Sequence, residues 1–178
     1  MNQPSFCLFL AVGALFLTGQ PARGADSTRG FEAHSVLLYQ PDKVLQERLP
    51  DGDASDLGKF VNAVEKVCTD HYATSNTPES LAMVVAVKPK SKARFWFVSS
   101  RDTPDKDFDA LRQKLAKIPV PKVVSGPVAF AIRSSIAGGD PKKPCDEVPR
   151  RKEWLDAIAK SKVPLVAPDG VLKVIWPD

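Results

Sequence analysis

The sequence predicts an α+β fold in which a small antiparallel sheet packs on two amphipathic helices. Three observations lead to it. Two apolar runs, at 81–88 and 93–98, flank a short charged turn, which is typical of a β-hairpin. A helical pattern follows, and then an alternating return strand at 128–136. Another helical pattern at 54–71 precedes the hairpin, so the sheet has two helices to pack against.

The composition is that of an ordinary globular domain. The chain has 178 residues, of which 43% are hydrophobic and 26% are charged, as in folded chains and unlike disordered ones. The formal net charge is only +4, and the basic residues lie among nearly as many acids. We therefore expect no nucleic-acid partner, because the sequence indicates no strongly basic surface.

Residues 1–24 are a predicted signal peptide. Residues 6–17 are apolar and uncharged, which suits a signal-peptide core and falls short of the about 20 residues that a membrane-spanning helix needs. Small residues at 22 and 24 favour cleavage before Ala25. Because residues 1–5 contain no Lys or Arg, an uncleaved anchor is the alternative. The remainder, 25–178, is predicted to be a single domain, periplasmic or secreted, with no stable membrane anchor after cleavage.

Removal of this segment leaves two cysteines, Cys68 and Cys145. A pair of cysteines in an exported chain most simply forms a disulfide, because the periplasm and the cell exterior are oxidising. The chain-entropy model gives so long a closed loop about 4 to 5 kcal/mol of stabilisation. A metal site is the competing interpretation, but His34 and His71 have no ligand pattern around them. We expect no metal and no cofactor.

The elements before the hairpin are a strand and a helix. Residues 34–39 form a candidate strand, and 43–49 allow either a helical turn or an irregular segment. Proline and glycine at 50–53 interrupt the pattern. The helix that follows has Asp53 or Ser55 as its cap. Its apolar face comprises Leu57, Phe60, Val61, Val64, Val67, Cys68 and His71.

Side-chain alternation assigns the faces of the predicted strands. Trp96 points away from Phe95 and Phe97, because successive side chains of a strand lie on opposite faces. In the return strand, one face carries Val128, Phe130, Ile132 and Ile136, and the other carries Ala129, Ala131 and Arg133. The helix between hairpin and return strand presents Phe108, Leu111, Leu115 and Ile118 at intervals of three and four.

Two elements are predicted as a C-terminal extension. Residues 153–162 form an amphipathic helix whose inward side chains are Trp154, Leu155, Ile158 and Ala159. The apolar runs 163–167 and 171–176 flank a Pro-Asp-Gly sequence, which favours a hairpin turn.

The central stretch carries a recognisable order of short motifs. They are VSS at 98–100, DAL at 109–111, LAKIPVP at 115–121 and GPVAFAI at 126–132. Over roughly residues 55–137 this order resembles the C-terminal domain of the TonB and TolA periplasmic proteins. The resemblance implies a small domain that binds a protein partner in the cell envelope by pairing an exposed edge strand with a segment of that partner.

The predicted binding residues follow from that binding mode. If the strand 128–136 lies on the edge of the sheet, Ala129, Ala131 and Arg133 face the partner. The alternative is that residues 172–176 pair with this edge and close it. Trp96 is then either an exposed binding anchor or a side chain buried beneath the C-terminal extension.

No motif in the sequence indicates an enzyme. The chain has no Gly-rich phosphate loop, no HExxH, no GxSxG and no CxxC, and His71 is more simply a packing residue or a helix-end charge than a base. We therefore predict a non-enzymatic binding or envelope-interaction module. The alternatives are an inhibitor or immunity-type protein of a secreted enzyme, with 138–149 as its contact loop, and a small hydrolase with two convergent titratable groups.

Overall fold

The computed structural model describes residues 30–101, 103–140, 152–161 and 168–177. Its strands are β1 (Phe31–Leu38), β2 (Glu79–Lys88), β3 (Lys92–Ser99) and β4 (Val128–Ile136). They form one antiparallel sheet in the order β1-β4-β2-β3. The inner strands are therefore β2 and β4, and the edges are β1 and β3. The predicted α+β class is confirmed, with its hairpin and its return strand.

In the described part of the chain, five helices cover the two faces of this sheet. They are α1 (Asp42–Arg48), α2 (Ser55–Tyr72), α3 (Asp109–Leu115), α4 (Lys152–Ser161) and α5 (Pro168–Ile175). The segment left open between helix and irregular structure is thus α1. Short 3-10 turns at Pro50–Gly52 and Asp105–Phe108 lead into α2 and α3. Within the described ranges, no helix is long and apolar enough to cross a membrane.

The first face of the sheet carries the larger apolar cluster, packed under α1, α2 and α3. Phe95, Phe97, Phe130 and Ile132 all lie in this one cluster with the inward residues of both predicted helices. The strand register brings these side chains together, because Met83 of β2 stands opposite Phe97 on β3 and opposite Ile132 on β4. The predicted apolar layer is confirmed.

The second face of the sheet is lined by small residues and covered by α4 and α5. On this face, the surface of the inner strands β2 and β4 is formed by Val84, Ala86, Ala129 and Ala131. Their small side chains leave room for the bulkier Trp96, Trp154 and Leu172, all of which are buried in the same cluster. The helices thus pack on a floor of alanine and valine.

The prediction of a C-terminal hairpin is wrong where the structure describes it. Residues 168–175 form α5 instead, and the first predicted arm, 163–167, lies outside the described residues. Pro168 suits the first position of a helix, and the carboxylate of Asp169 interacts favourably with the helix dipole there. Val171 and Leu172 then face the sheet and are buried, so tertiary packing favours the helix.

The inward face of α4 also differs from the prediction. Trp154 and Ala157 are buried and Ile158 is half-buried, whereas Leu155 is 50% exposed and Ala159 is exposed. Positions three and four apart share one side of a helix, and the position after Trp154 lies about 100° away. The predicted signal peptide lies outside the described residues.

Candidate functional site

The predicted edge position of residues 128–136 is wrong. β4 pairs with β1 on one side and with β2 on the other, so neither a partner nor residues 172–176 can occupy its edge. Ala129 and Ala131 are fully buried against the cluster of the second face. A strand that is apolar on both faces is stabilised most when it lies between two other strands and two layers of helices.

Trp96 is buried, which is one of the two positions predicted for it. It is 2% exposed, and its ring contacts Trp154 and Trp176 edge to face, with centroids 5.3 and 6.3 Å apart. The indole N–H groups of Trp96 and Trp154 are buried without a hydrogen-bond partner among the described residues. Such a group costs about 1 to 3 kcal/mol, so the packing of the rings must outweigh it.

Arg133 lies on the same face of β4 as Ala129 and Ala131, and it is half-buried. In the sheet it stands between Ser35 on β1 and Ala82 on β2. It is the only one of the four predicted binding residues that is not buried, and it is separated from the edges of the sheet by a strand on each side.

β3 is the edge strand that offers free backbone groups to a partner. The N–H of Ser100 donates to the carbonyl oxygen of Ser80 at 3.0 Å, in register with the β2–β3 ladder. Because backbone groups of antiparallel strands turn to alternate sides at successive residues, the N–H and C=O groups of Ala93 and Phe95 point away from β2. Among the described residues, no hydrogen bond reaches them.

A groove of about 530 Å³ runs along this edge. Ala93, Phe95 and Trp96 line its base, Leu115 and Ala116 line it at the end of α3, and Glu153 lines it at the start of α4. An extended segment placed there would alternate its side chains between the α3 side and the α4 side. The α3 side offers apolar contacts beside the ion pair of Asp105 and Arg112, and the α4 side offers the charge of Glu153.

Arginines and acids frame the groove. The guanidinium of Arg94 donates to the carbonyl oxygen of Ile175 at 2.8 Å and lies 5.0 Å from the centre of the Trp96 ring. Arg112 forms ion pairs with Asp105 and, at 2.7 Å, with Asp109. Arg112 is therefore neutralised, while Arg94 keeps its charge because its partner is a neutral carbonyl.

The opposite edge, β1, is less suited to receive a strand. Its pairing with β4 shifts register between Ala33 and Ser35, which marks a bulge, and bulges are one way in which proteins protect edges. Val36 and Leu38 are each 42% exposed. The bulge therefore disfavours a regular added strand.

The bulge also brings His34 against Ser135. The imidazole Nε2 lies 2.8 Å from the Ser135 hydroxyl oxygen, a distance that would suit a base and its nucleophile. Ser135 is only 3% exposed, however, so a substrate could reach its oxygen only by displacing the residues around it. The contact more simply ties the bulge of β1 to β4.

The other titratable residues singled out in the sequence lie around α2. His71 Nδ1 is 3.1 Å from the ammonium of Lys114, and burial together with the charge of Lys114 lowers the pKa of His71. Burial raises the pKa of the Cys68 thiol to about 12. Cys68 has no disulfide partner among the described residues, and Cys145 lies outside them, so their disulfide stays a prediction.

The described ranges contain no group of three or more metal-ligating side chains. Comparison of the chain with protein-family models, with curated proteins and with solved structures finds no match.

Sequence reasoning missed the β3 edge because it placed the return strand at the edge instead. A signal for β3 was present. Lys92 and Arg94 lie on the second arm of the hairpin, and charged side chains are typical of edge strands.

Proposed function

We propose that this chain is an exported, non-enzymatic binding module that pairs an extended segment of a protein partner with the open edge of β3. One observation carries the proposal. The outward backbone groups of Ala93 and Phe95 lie at the base of a groove between α3 and α4. Backbone groups at an open edge are a template for a further strand, and the residues beside them supply side-chain contacts.

The walls of the groove define the segment that fits. Side chains directed to the α3 side would meet Leu115, Ala116 and Val120 beside the paired charges of Asp105 and Arg112, so we expect this set to be mainly apolar. Side chains directed to the α4 side would meet Arg94 and Glu153, so this set is polar or charged. The partner segment therefore alternates apolar and polar residues. This binding mode is the one that the resemblance to TonB and TolA implies, transferred from β4 to β3.

Proline substitution tests the proposal because it removes a backbone donor. In Ala93→Pro the lost N–H points outward, so the β2–β3 ladder keeps its hydrogen bonds and the domain folds. Val36→Pro is the matched control at the other edge: the N–H of Tyr39 donates to the carbonyl oxygen of Ala129 in the β1–β4 ladder, and the same alternation places the Val36 N–H outward.

The measurement is photo-crosslinking in envelope extract, with the reactive group at the exposed position of Ser91. We expect a crosslinked partner with the wild type and with Val36→Pro, and its loss with Ala93→Pro. Amide exchange of Ala93 and Phe95 should slow when the partner is added. An identical crosslinked product from both proline variants would show that the edge of β3 is not the binding site.

A further inference from the structure

A second surface of the molecule concentrates positive charge around an apolar floor. Two adjoining grooves, of about 400 and 530 Å³, lie between α2 and the segment 114–122. Both grooves are lined by Ala63, Ile118 and Pro119, so they form one continuous trough. We call it the lysine trough.

The lysine trough follows one stripe of α2. Its lining runs from Asp56 through Phe60, Ala63 and Val67 to Asp70, with spacings of three and four that place these residues on one side of the helix. Fourteen residues of helix correspond to about 21 Å. The stripe is thus about four helical turns long, and its apolar floor on α2, from Phe60 to Val67, covers about two of them.

Lysines line both rims of the trough. On the α2 rim, Lys59 and Lys66 pair with Asp56 and Asp70 at 2.9 and 3.2 Å. The opposite rim carries three lysines and no acid: Lys114, Lys117 and Lys122. Five lysines and two aspartates leave three positive charges in excess, beside a formal net charge of +4 for the whole chain.

The charge of the second rim is not neutralised within the described part of the chain. Lys117 and Lys122 have no ion-pair partner there, and Lys114 contacts only the imidazole of His71, with the two nitrogens 3.1 Å apart. The lowered pKa of His71 agrees with a positive potential at this place. An anion placed along the rim would therefore meet three available ammonium groups.

We propose that the lysine trough binds an acidic amphipathic helix of a protein partner. Its apolar stripe would lie on Ala63, Val67 and Pro119, and its carboxylates would pair with Lys114, Lys117 and Lys122. The shape favours a helix, because a trough accepts anchors at i, i+3, i+4 and i+7. A flat anionic bilayer would touch the rims and leave the floor uncovered. Val120 lines both the trough and the groove along β3, but the trough contains no residue of β3, and its test does not depend on the function proposed above.

A designed peptide tests the trough directly. The probe is a fluorescein-labelled helix of about 16 residues made of Leu, Ala and Glu, with Leu along one stripe and Glu on the flanks. The control peptide has the same composition with Leu and Glu distributed around the helix. We expect the probe to bind the wild-type chain more tightly than the control peptide, and to slow amide exchange in residues 60–67.

Charge reversal locates the binding. In Lys117→Glu/Lys122→Glu we expect binding at least about tenfold weaker, since each exposed pair contributes up to about 1 kcal/mol and reversal replaces attraction by repulsion. Lys43→Glu/Lys106→Glu makes the same change at two exposed lysines outside the trough and should leave binding nearly unchanged. Both variants alter surface residues only, and equal melting temperatures would verify that they fold.

Three results would overturn the proposal. The first is equal affinity for the two peptides, and the second is an equal loss of binding in both double variants. The third is co-sedimentation with phosphatidylglycerol vesicles that depends on Lys117 and Lys122 while the peptide fails to bind, which would assign the surface to a membrane.

Discussion

The two faces of the sheet are covered in different ways. The first face packs phenylalanines and large aliphatic residues under α2 and α3, which lie between strands in the chain. The second face packs alanines and tryptophans under α4 and α5, which follow the last strand. We therefore expect the first face to form as the sheet itself is assembled. The second depends on an extension that can dock only once the sheet provides its floor.

Polar contacts hold the extension in place. At the start of α5, Asp169 forms a double hydrogen-bonded ion pair with Arg48 of α1. At its end, Lys88 donates to the carbonyl oxygen of Trp176, and Arg94 donates to that of Ile175. These two cations meet the negative end of the helix dipole, where positive charge is favoured. Cationic side chains thus hold both ends of α5: Arg48 at its start, and Lys88 and Arg94 at its end.

The largest expected effect comes from the first face. Phe130→Ala removes a fully buried ring from the centre of the sheet, and we expect a loss of about 3 to 5 kcal/mol in the free energy of unfolding. Urea unfolding followed by far-UV circular dichroism measures it. Leu172→Ala on the second face should cost about 2 to 3 kcal/mol and should loosen α4 and α5 before the sheet unfolds. Equal global losses from both substitutions would refute the difference between the faces.

A smaller effect is expected at the anchor of α5. Arg48→Ala removes the ion pair of Asp169 and leaves it only the hydrogen bond from Gln40, so we expect a loss of about 1 to 2 kcal/mol, reduced by the partial exposure of the carboxylate. Amide exchange measures this local effect: we expect faster exchange in α5 and unchanged exchange in β2. Asp169→Asn is the matched change at the other end of the pair. If exchange in β2 rises as much as in α5, the anchor serves the whole fold and not the extension.

The smallest expected effect is on the pH dependence of stability. Burial and Lys114 lower the pKa of His71 on the first face, and hydrogen bonds from Arg48 lower the pKa of Asp169 on the second. In both groups the unfolded chain binds the proton more readily, so stability is complete above the unfolded pKa and is lost as the pH falls through the folded pKa. The loss tied to His71 begins below about pH 6.5, and that tied to Asp169 begins below about pH 4.

Two variants separate these steps. Lys114→Met removes the neighbouring charge and should raise the pKa of His71 toward its ordinary value, which a titration of the imidazole by NMR would show. Asp169→Asn should remove the lower step and leave the upper one. A titration of His71 that is the same with and without the Lys114 charge would contradict the assigned cause.

The hairpin, its helix and the return strand were predictable because their patterns are local. The alternation of Phe95, Trp96 and Phe97 assigns faces within a single strand, and four apolar positions from Phe108 to Ile118 define one side of a helix. The C-terminal runs were not predictable in the same way. Val171 and Leu172 fit a strand or a helix, and the alanine floor beneath them favours the helix that Pro168 and Asp169 begin.

The candidate site was harder to predict than the fold. Face assignment placed Ala129 and Ala131 correctly on the face opposite Phe130, but a face does not say whether a strand is inner or outer. That depends on which strand pairs with which, and β1 pairs with β4 from nearly a hundred residues away in the chain. The lysine trough shows the same limit, because its two rims come from segments that lie far apart in the sequence.

The amino-acid sequence by itself determined the elements, their faces and the single apolar layer, because the periods of helix and strand are set by neighbouring residues. Only the tertiary structure decided that β3 is an open edge, that α5 is a helix and that five lysines share one surface. Strand order and surface charge arise from contacts between distant residues, and a local pattern such as the charges of Lys92 and Arg94 indicates an edge without fixing the strand order.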